Sequence, residues 1–239
     1  MSNKNIRETR REKRQQQKTR ELTRNLIIIA GVVLLVASGL IYGSTRPIGD
    51  IVEITPRDLP NVDGRQMGDP DAPVVVEVFE DFQCPACGNF TATVEPALIE
   101  DYVKTGKVLF IYRFYPFIDD RSATKESDQA ANASMCASEQ DKFWEYHDIL
   151  FANQNGENIG GFSNRRLQAF AETLGLNMDT FNSCFEDSKY WDEIRQDVAL
   201  AQTRAVTGTP TVFVNNQILS GFSYPIVQSA IETALATAP

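Results

Sequence analysis

The chain has 239 residues and divides into two parts of opposite charge. Residues 1–24 carry nine Lys and Arg against three Glu, a net charge of +6; since the whole chain carries −9, residues 25–239 carry −15. Nucleic-acid binding requires clustered cations, so this acidic remainder argues against a nucleic-acid partner. Hydrophobic residues make up 42% of the chain and aromatic residues 10%. That is enough to bury a core, which argues against a disordered protein.

An apolar segment follows the basic residues. Residues 26–42 are almost continuously apolar, and as a helix these 17 residues would span about 26 Å, close to the ~30 Å hydrocarbon core of a bilayer. The basic flank should stay in the cytoplasm. We therefore predict a basic cytoplasmic tail at residues 1–25, a transmembrane anchor at residues 26–42 and an extracytoplasmic remainder. The alternative is a cleaved signal peptide, for which no clean cleavage site is visible.

The next part of the chain changes from irregular to strongly patterned. Residues 43–68 contain three prolines and no sustained hydrophobic period, which predicts a spacer. Two short runs of β-branched and aromatic residues, 74–79 and 108–114, predict buried strands. The segment between them, residues 85–104, is expected to be the helix that joins them. This order is a βαβ unit.

A long helical segment separates this unit from the end of the chain. Residues 122–206 lack strand patterns and are rich in helix formers, with helices expected near residues 130–137, 143–151, 167–174 and 190–205. Two strands joined by a turn and a final helix follow, at residues 211–214, 217–219 and 224–235. We therefore predict an α/β domain built from residues 69–121 and 207–239, with residues 122–206 as a helical insertion.

The chemistry is expected at a C-x-x-C motif, Cys84-Pro85-Ala86-Cys87. The motif follows a predicted strand and opens a predicted helix, so Cys84 falls where free backbone N–H groups and the helix dipole stabilise a thiolate. Pro85 suits the first helical turn, where its missing N–H has no intrahelical partner. Cys87, one turn further in, is placed to be the thiol that resolves a mixed disulfide.

Two other interpretations of a C-x-x-C pair are a structural crosslink and half of a zinc site. A zinc site needs two more ligands. The remaining candidates are Cys136, Cys184 and the single histidine, His147, and the chain has no second C-x-x-C. We therefore expect a redox-active pair, no metal and no other cofactor.

Three segments resemble the DsbA-like thiol:disulfide oxidoreductases of the thioredoxin superfamily: residues 68–87, 143–147 and 208–211. The resemblance covers about residues 65–237. It implies a thioredoxin fold with a helical insertion, in agreement with the order of elements above. It also implies that Pro210 is cis and lies beside the cysteines, whereas Thr209-Pro210 before a strand is by itself equally compatible with a trans turn. The Thr209-Pro210 loop would then offer backbone groups to an extended substrate peptide.

The sequence departs from this resemblance at Ala86, where the most oxidising relatives carry His. A His at this position would stabilise the Cys84 thiolate and so the reduced form, which makes the disulfide a stronger oxidant. With Ala86 we expect a reduction potential less extreme than that of the strongest oxidants.

Three carboxylates lie just before the motif. We expect Glu77, on the predicted strand, to handle the proton of Cys87, as a buried carboxylate does in relatives. Glu80 and Asp81 are expected to be solvated loop charges.

The other two cysteines, Cys136 and Cys184, both lie in the predicted insertion. An oxidising compartment and an even cysteine count favour a structural disulfide between them, which leaves the active pair free. A second redox pair that carries electrons is the alternative. His147 lies among aromatic residues and is expected to pack inside the insertion without a catalytic role.

These observations predict a membrane-anchored, extracytoplasmic enzyme that introduces disulfides into secreted or cell-envelope proteins. Its partners would be unfolded or partly folded secreted proteins and a membrane redox protein, by resemblance a quinone-linked oxidase, that reoxidises the dithiol. A reductase or isomerase would use the same atoms, so the direction of electron flow stays open. A non-enzymatic anchored binding module with a structural C-x-x-C is the alternative from another class.

Overall fold

The computed structural model describes residues 20–39 and 48–237, which belong to two separate units, residues 1–49 and 50–239. The first unit contains helix α1, Arg20–Gly39, a 20-residue helix with a mean hydropathy of 1.9 and no buried residues in its apolar window. Its length and composition fit a membrane span, and they also fit a signal sequence. Most of the predicted tail and residues 40–42 of the predicted anchor lie outside the described residues.

The second unit is built on a five-stranded mixed sheet in the order β1-β3-β2-β4-β5. Its strands are β1 Gln66–Met67, β2 Val74–Glu80, β3 Val108–Phe114, β4 Thr211–Val214 and β5 Gln217–Ile218. β2 and β3 are parallel, as their helical connection requires, whereas β1 pairs antiparallel with β3 and β4 pairs antiparallel with β2 and β5. The four strands predicted from periodicity are present, and the two-residue strand β1 is too short to show a period.

Eight helices of the described residues belong to this unit. They are α2 Pro85–Thr93, α3 Glu95–Leu98, α4 Glu126–Ser138, α5 Phe143–Ala152, α6 Asn164–Thr173, α7 Met178–Glu186, α8 Trp191–Thr203 and α9 Tyr224–Thr237. The single helix predicted at residues 85–104 is divided into α2 and α3, because Pro96 has no N–H to continue the backbone hydrogen bonds of α2. A π-helical turn, Ile99–Val103, follows α3. Helix α7 was not predicted.

Helices cover both faces of the sheet. On β2, Val76 and Val78 face the large core that α2, α3 and α9 share, whereas Phe79 faces Ala201 of α8 and Phe213 of β4. Helix α8 also lies against β3. The predicted insertion of residues 122–206 is therefore too long, because α8 is a covering layer of the sheet and the inserted helices end with α7.

The predicted spacer at residues 43–68 also needs correction, because the compact unit begins at Asp50. Within this segment β1 pairs with β3, and Met67 is fully buried. Arg57 forms ion pairs with Glu95 and Asp148. The prolines remove any hydrophobic period, but isolated side chains of the segment still pack against the core.

A disulfide joins the predicted pair Cys136 and Cys184, with the two Cα atoms 5.7 Å apart. It links α4 to α7 within the inserted helices. Cys84 and Cys87 are free thiols, so the structure represents the reduced form of the C-x-x-C pair.

Candidate active site

Cys84 is the residue that precedes the first turn of α2. Its backbone is extended (φ −73°, ψ 119°), and Pro85 begins the helix with its fixed φ. The backbone N–H of Cys84 donates to the carbonyl of Asp81 at 2.9 Å, and the N–H of Gly88 donates to the carbonyl of Cys84 at 3.1 Å. The strand, the turn and the helix N-terminus therefore hold Cys84 where the sequence predicted it.

The two thiols differ in exposure and in electrostatic environment. Cys84 is 6% exposed and Cys87 is fully buried. A hydrogen bond from the Cys87 thiol, assisted by Thr209 and by the backbone N–H groups of Cys87 and Ala86, lowers the pKa of Cys84 to about 6, although burial acts in the opposite direction. Burial, the hydrogen bond with Cys84 and the charge of Glu80 raise the pKa of Cys87 well above its usual value. At neutral pH Cys84 is therefore the thiolate and Cys87 the thiol.

The loop before β4 closes one side of the site. The Thr209–Pro210 peptide bond is cis, as the resemblance implies. Sγ of Cys84 lies 3.3 Å from the backbone carbonyl oxygen of Thr209, to which the thiol donates when it is protonated. The loop is held by the Thr211 hydroxyl, which donates to the carbonyl of Gly208 at 2.7 Å.

Glu80, at the end of β2, is a buried carboxylate that lies near Cys87. It is 1% exposed, and neither of its oxygens has a hydrogen-bond partner among the described residues. Burial and the nearby carboxylate of Glu95 raise the pKa of Glu80 well above its usual value, and the Cys87 thiol acts in the opposite sense. Burial therefore favours the protonated form of the carboxyl group that lies beside the buried thiol.

The structure contradicts the role expected of Glu77. Its carboxylate binds Arg113 at 2.9 Å and Arg204 at 2.6 Å. Because side chains alternate along a strand, Glu77 lies on the face of β2 opposite Glu80 and cannot reach Cys87. Glu80 takes the position predicted for Glu77. Sequence reasoning missed it because the last residue of a strand cannot be distinguished from the loop that follows.

The expectation that Glu80 and Asp81 are solvated loop charges is also wrong. Asp81 is 2% exposed. It accepts hydrogen bonds from the backbone N–H groups of Gln83 (2.9 Å) and Ile118 (3.1 Å) and from the Ser127 hydroxyl (2.6 Å). Burial raises the pKa of Asp81 to about 7, although these three hydrogen bonds act against the shift. Asp81 therefore ties the loop before Cys84 to the inserted helices.

Gln154, just after α5, also holds this loop, and no sequence pattern pointed to it. Its side-chain amide donates to the carbonyls of Phe82 at 2.6 Å and Cys84 at 3.0 Å. A Cβ on Gly88 would lie 2.5 Å from Oε1 of Gln154, so the absence of a side chain at Gly88 makes this approach possible.

Apolar side chains surround the cysteine pair. Ile118 is buried against Cys84 and Cys87, and Ala86, Phe117 and Phe151 are partly buried beside them. The thiol pair is therefore enclosed by buried and partly buried apolar side chains.

Among the described residues, one group has the spacing of metal ligands: Glu80, Glu95 and His147, whose ligand atoms all lie within 4.8 Å of one another. All three side chains are buried. Neither Cys84 nor Cys87 belongs to such a group in the described part of the chain. Through Glu80, this group lies next to Cys87.

Comparison with known proteins identifies the family. The sequence pattern of the family described as Thioredoxin matches residues 60–233. The chain is 33% identical over 199 residues to the Na(+)/H(+) antiporter NhaA 3 of Salinispora tropica, which covers 83% of this chain but only 28% of that relative, so the chain spans about a quarter of it. It is 31% identical over 175 residues to the probable disulfide bond formation protein D of Bacillus anthracis, covering 72% of this chain and 78% of that protein.

Solved structures agree with this result. BdbD of Bacillus subtilis in its oxidised form superposes with a TM-score of 0.65 and 26% identity, covering 79% of this chain and 100% of that chain. Wolbachia pipientis alpha-DsbA1 superposes with a TM-score of 0.62 and 26% identity, covering 74% and 94%. The prediction of a thioredoxin fold with inserted helices is confirmed. The chain belongs to the thioredoxin family and is similar to its DsbA-like members.

Proposed function

We propose that the protein is a thiol:disulfide oxidoreductase that introduces disulfides into other proteins through Cys84 and Cys87. The observation that carries the proposal is the pairing of an activated thiol at the start of α2, with a pKa of about 6, and a buried thiol whose pKa is raised. A thiolate is the reactive form in disulfide exchange, so the two cysteines have distinct roles. The named function of the Bacillus anthracis relative supports this proposal.

In the proposed reaction each sulfur atom has its own step. In the oxidised form, a substrate thiolate attacks Sγ of Cys84, because the fully buried Cys87 is inaccessible. The Cys84–Cys87 bond breaks, and Cys87 leaves as a thiolate that takes a proton from Glu80. A second substrate thiolate then attacks the substrate sulfur bound to Cys84. The substrate gains a disulfide and loses two electrons, and Cys84 is released as a stable thiolate.

The low pKa of Cys84 also favours a direction. A pKa of about 6 means that the reduced form is stabilised at neutral pH, and stabilising the dithiol makes the disulfide a stronger oxidant. The protein then acts as an oxidase for unfolded or partly folded proteins, and a membrane redox partner accepts the two electrons and restores the Cys84–Cys87 disulfide. The carbonyl of Thr209 and the loop to Pro210 hold the substrate as an extended strand.

Helix α1 and the second disulfide support an extracytoplasmic location. We assign α1 as a retained anchor with the basic residues in the cytoplasm and the catalytic unit outside it. The disulfide between Cys136 and Cys184 supports an oxidising compartment.

The test is the oxidation of a reduced two-cysteine peptide by the full chain in detergent, with the reduction potential measured against glutathione. We expect stoichiometric peptide oxidation and a potential between about −270 mV, typical of a reductant, and about −120 mV, typical of the strongest oxidants. Cys84→Ser is the control and should be inactive. A potential at or below the lower limit would assign the protein as a reductase. Absence of exchange would favour a binding module with a structural C-x-x-C.

A further inference from the structure

The reaction requires Glu80 to exchange protons with solvent. It gives a proton to Cys87 when the substrate is oxidised, and it must recover one before the next step. Glu80 is only 1% exposed and has no hydrogen-bond partner among the described residues, so it has no direct access to water. Under the proposed function, on which this inference rests, a proton route from Glu80 to the surface is needed.

Glu80 belongs to a buried cluster of polar side chains. Glu95 of α3 and His147 of α5 bring their polar atoms within 4.8 Å of those of Glu80. Both Glu80 oxygens, Oε2 of Glu95 and Nε2 of His147 are buried without a hydrogen-bond partner in the described part of the chain. Leaving buried polar atoms unpaired costs free energy, so four such atoms in one place indicate a functional requirement.

His147 connects this cluster to the surface. Its Nε2 faces Oε2 of Glu95 at 3.8 Å, and its Nδ1 lies 2.9 Å from Oδ1 of Asp148. The side chain of Asp148 is 13% exposed and pairs at 2.6 Å with Arg57, which is 25% exposed. One imidazole nitrogen therefore faces the buried carboxylates and the other binds a carboxylate in contact with solvent.

We propose that His147 is a proton-relay residue that carries protons between the buried carboxyl group of Glu80 and the partly exposed carboxylate of Asp148. Imidazole suits this role because a proton can leave one ring nitrogen while another binds at the second. The separation of up to 4.8 Å between Glu80 and His147 is one that a single bridging water molecule or a side-chain rotation closes.

The proton balance closes over one catalytic cycle. After Glu80 has protonated the Cys87 thiolate, Nε2 of His147 donates a proton to Glu80, and Nδ1 takes one that solvent supplies through Asp148. During reoxidation Glu80 returns a proton to Nε2, Nδ1 releases one to Asp148, and Glu80 then accepts the proton of Cys87. One proton enters and one leaves, and the ring returns to its starting tautomer.

The surrounding charges favour proton transfer over metal binding. Oε1 of Glu95 already binds Arg57 at 2.5 Å, and Nδ1 of His147 is occupied by Asp148. A cation at the cluster would therefore lie near a guanidinium group. The other titratable groups near Glu80 are Cys84 just before α2, Cys87 on α2, Tyr112 on β3 and the adjacent Asp81.

The test compares His147→Gln with the wild type in single-turnover oxidation of a reduced two-cysteine peptide. The full chain is used in detergent from about pH 5 to about pH 9, in H₂O and in D₂O. We expect the variant to oxidise the peptide at least about tenfold more slowly than the wild type, because general acid–base groups commonly contribute more than that to a rate. We also expect this rate to show a larger solvent isotope effect in the variant. Its reduction potential should equal that of the wild type, because a relay changes rates and not the equilibrium.

Tyr146→Phe is the matched control. Tyr146 lies on the same helix, is fully buried, and donates to the carbonyl of Leu167 at 2.7 Å, so its loss disturbs packing without touching the cluster. If His147→Gln does not fold, Asp148→Asn replaces it and should show the same slowing.

Three results would overturn the relay. They are an unchanged rate in the folded variant, a loss no greater than in Tyr146→Phe, and a stoichiometric metal bound to the purified wild-type protein. If the wild type itself does not oxidise the peptide, the proposed function fails, and this outcome is distinct from a failure of the relay.

Discussion

The thiol of Cys84 lies 3.3 Å from the backbone carbonyl of Thr209, although 125 residues separate them in the sequence. The contact arises because β2 and β4 are antiparallel neighbours, with Phe79 opposite Thr211. The end of β2 and the start of β4 are therefore at the same edge of the sheet. Under the proposed function, a substrate joined to Cys84 is expected to lie along the Thr209–Pro210 loop.

The alkylation of Cys84 should follow its lowered pKa. Because the thiolate is the nucleophile, the rate of labelling by iodoacetamide in the reduced protein should rise with pH and reach half of its maximum near pH 6, where Cys84 ionises. Cys87 should react far more slowly, since it is buried and its pKa is raised. Mass spectrometry of labelled peptides distinguishes the two sites. Equal rates for both thiols would contradict the assignment of Cys84 as nucleophile.

Glu80 should make the folded protein less stable as the pH rises. Folding raises the pKa of Glu80 above its value of about 4.3 in the unfolded chain. Its contribution to the free energy of unfolding is therefore full below about pH 4.3 and is lost as the pH rises through the pKa of the folded state. In Glu80→Gln this part of the decline should disappear. Urea unfolding at about pH 5 and about pH 8 measures it.

Glu77→Gln is the control, because Glu77 lies on the opposite face of β2. It should lower stability by roughly 1–3 kcal/mol through the loss of its bonds to Arg113 and Arg204, and it should retain the pH-dependent decline. Equal pH profiles for wild type and Glu80→Gln would show that Glu80 is ionised in the fold.

Removal of the second disulfide should affect stability and leave the chemistry intact. The Cys136–Cys184 link closes a loop with a sequence separation of 48 residues, which corresponds to about 4 kcal/mol in the chain-entropy estimate. Replacement of both residues by Ala should lower Tm by roughly 10 °C in calorimetry. Below the new Tm, peptide oxidation should continue at nearly the wild-type rate. A folded double variant without turnover would place these cysteines in the electron path.

Ala86→His should make the protein a stronger oxidant. Ala86 lies between the two cysteines, and its N–H is one of those that lower the pKa of Cys84. A protonated imidazole there should lower that pKa further, stabilise the dithiol and raise the reduction potential. Ala86→Gln, similar in size and uncharged, is the control. If both variants change the potential equally, charge is not the cause.

Full-length protein should sediment with membranes and resist extraction by carbonate. If α1 is a retained anchor, protease added outside the cytoplasmic membrane should digest the unit that begins at Asp50 and spare the basic residues before α1. A chain of residues 50–239 is the control and should stay in the supernatant. A soluble product that begins near Gly39 would identify the segment as a signal peptide.

Local patterns were sufficient for strands β2 to β5 and for the position of Cys84 at the start of a helix. The runs that became β2 to β5 show strand periodicity, and Cys84 before Pro85 has the chemistry of a helix start, so neighbouring residues alone place the thiol at the N-terminus of α2. The cis bond at Pro210 depended on resemblance, because residues 209–211 also fit a trans turn.

Only the tertiary structure decided which carboxylate lies beside Cys87. Glu77 and Glu80 lie on one strand, and the sequence does not show which face α2 covers or where the strand ends. Glu80, Glu95 and His147 lie on β2, α3 and α5, so only the folded chain brings them together. Arg57, the ion-pair partner of Glu95, lies in the proline-containing segment before β1, where the sequence shows no hydrophobic period. The alternation of apolar and polar residues in a strand is visible within a few residues of sequence. Which helix packs on each face of that strand depends on how apolar surface is buried across the whole chain.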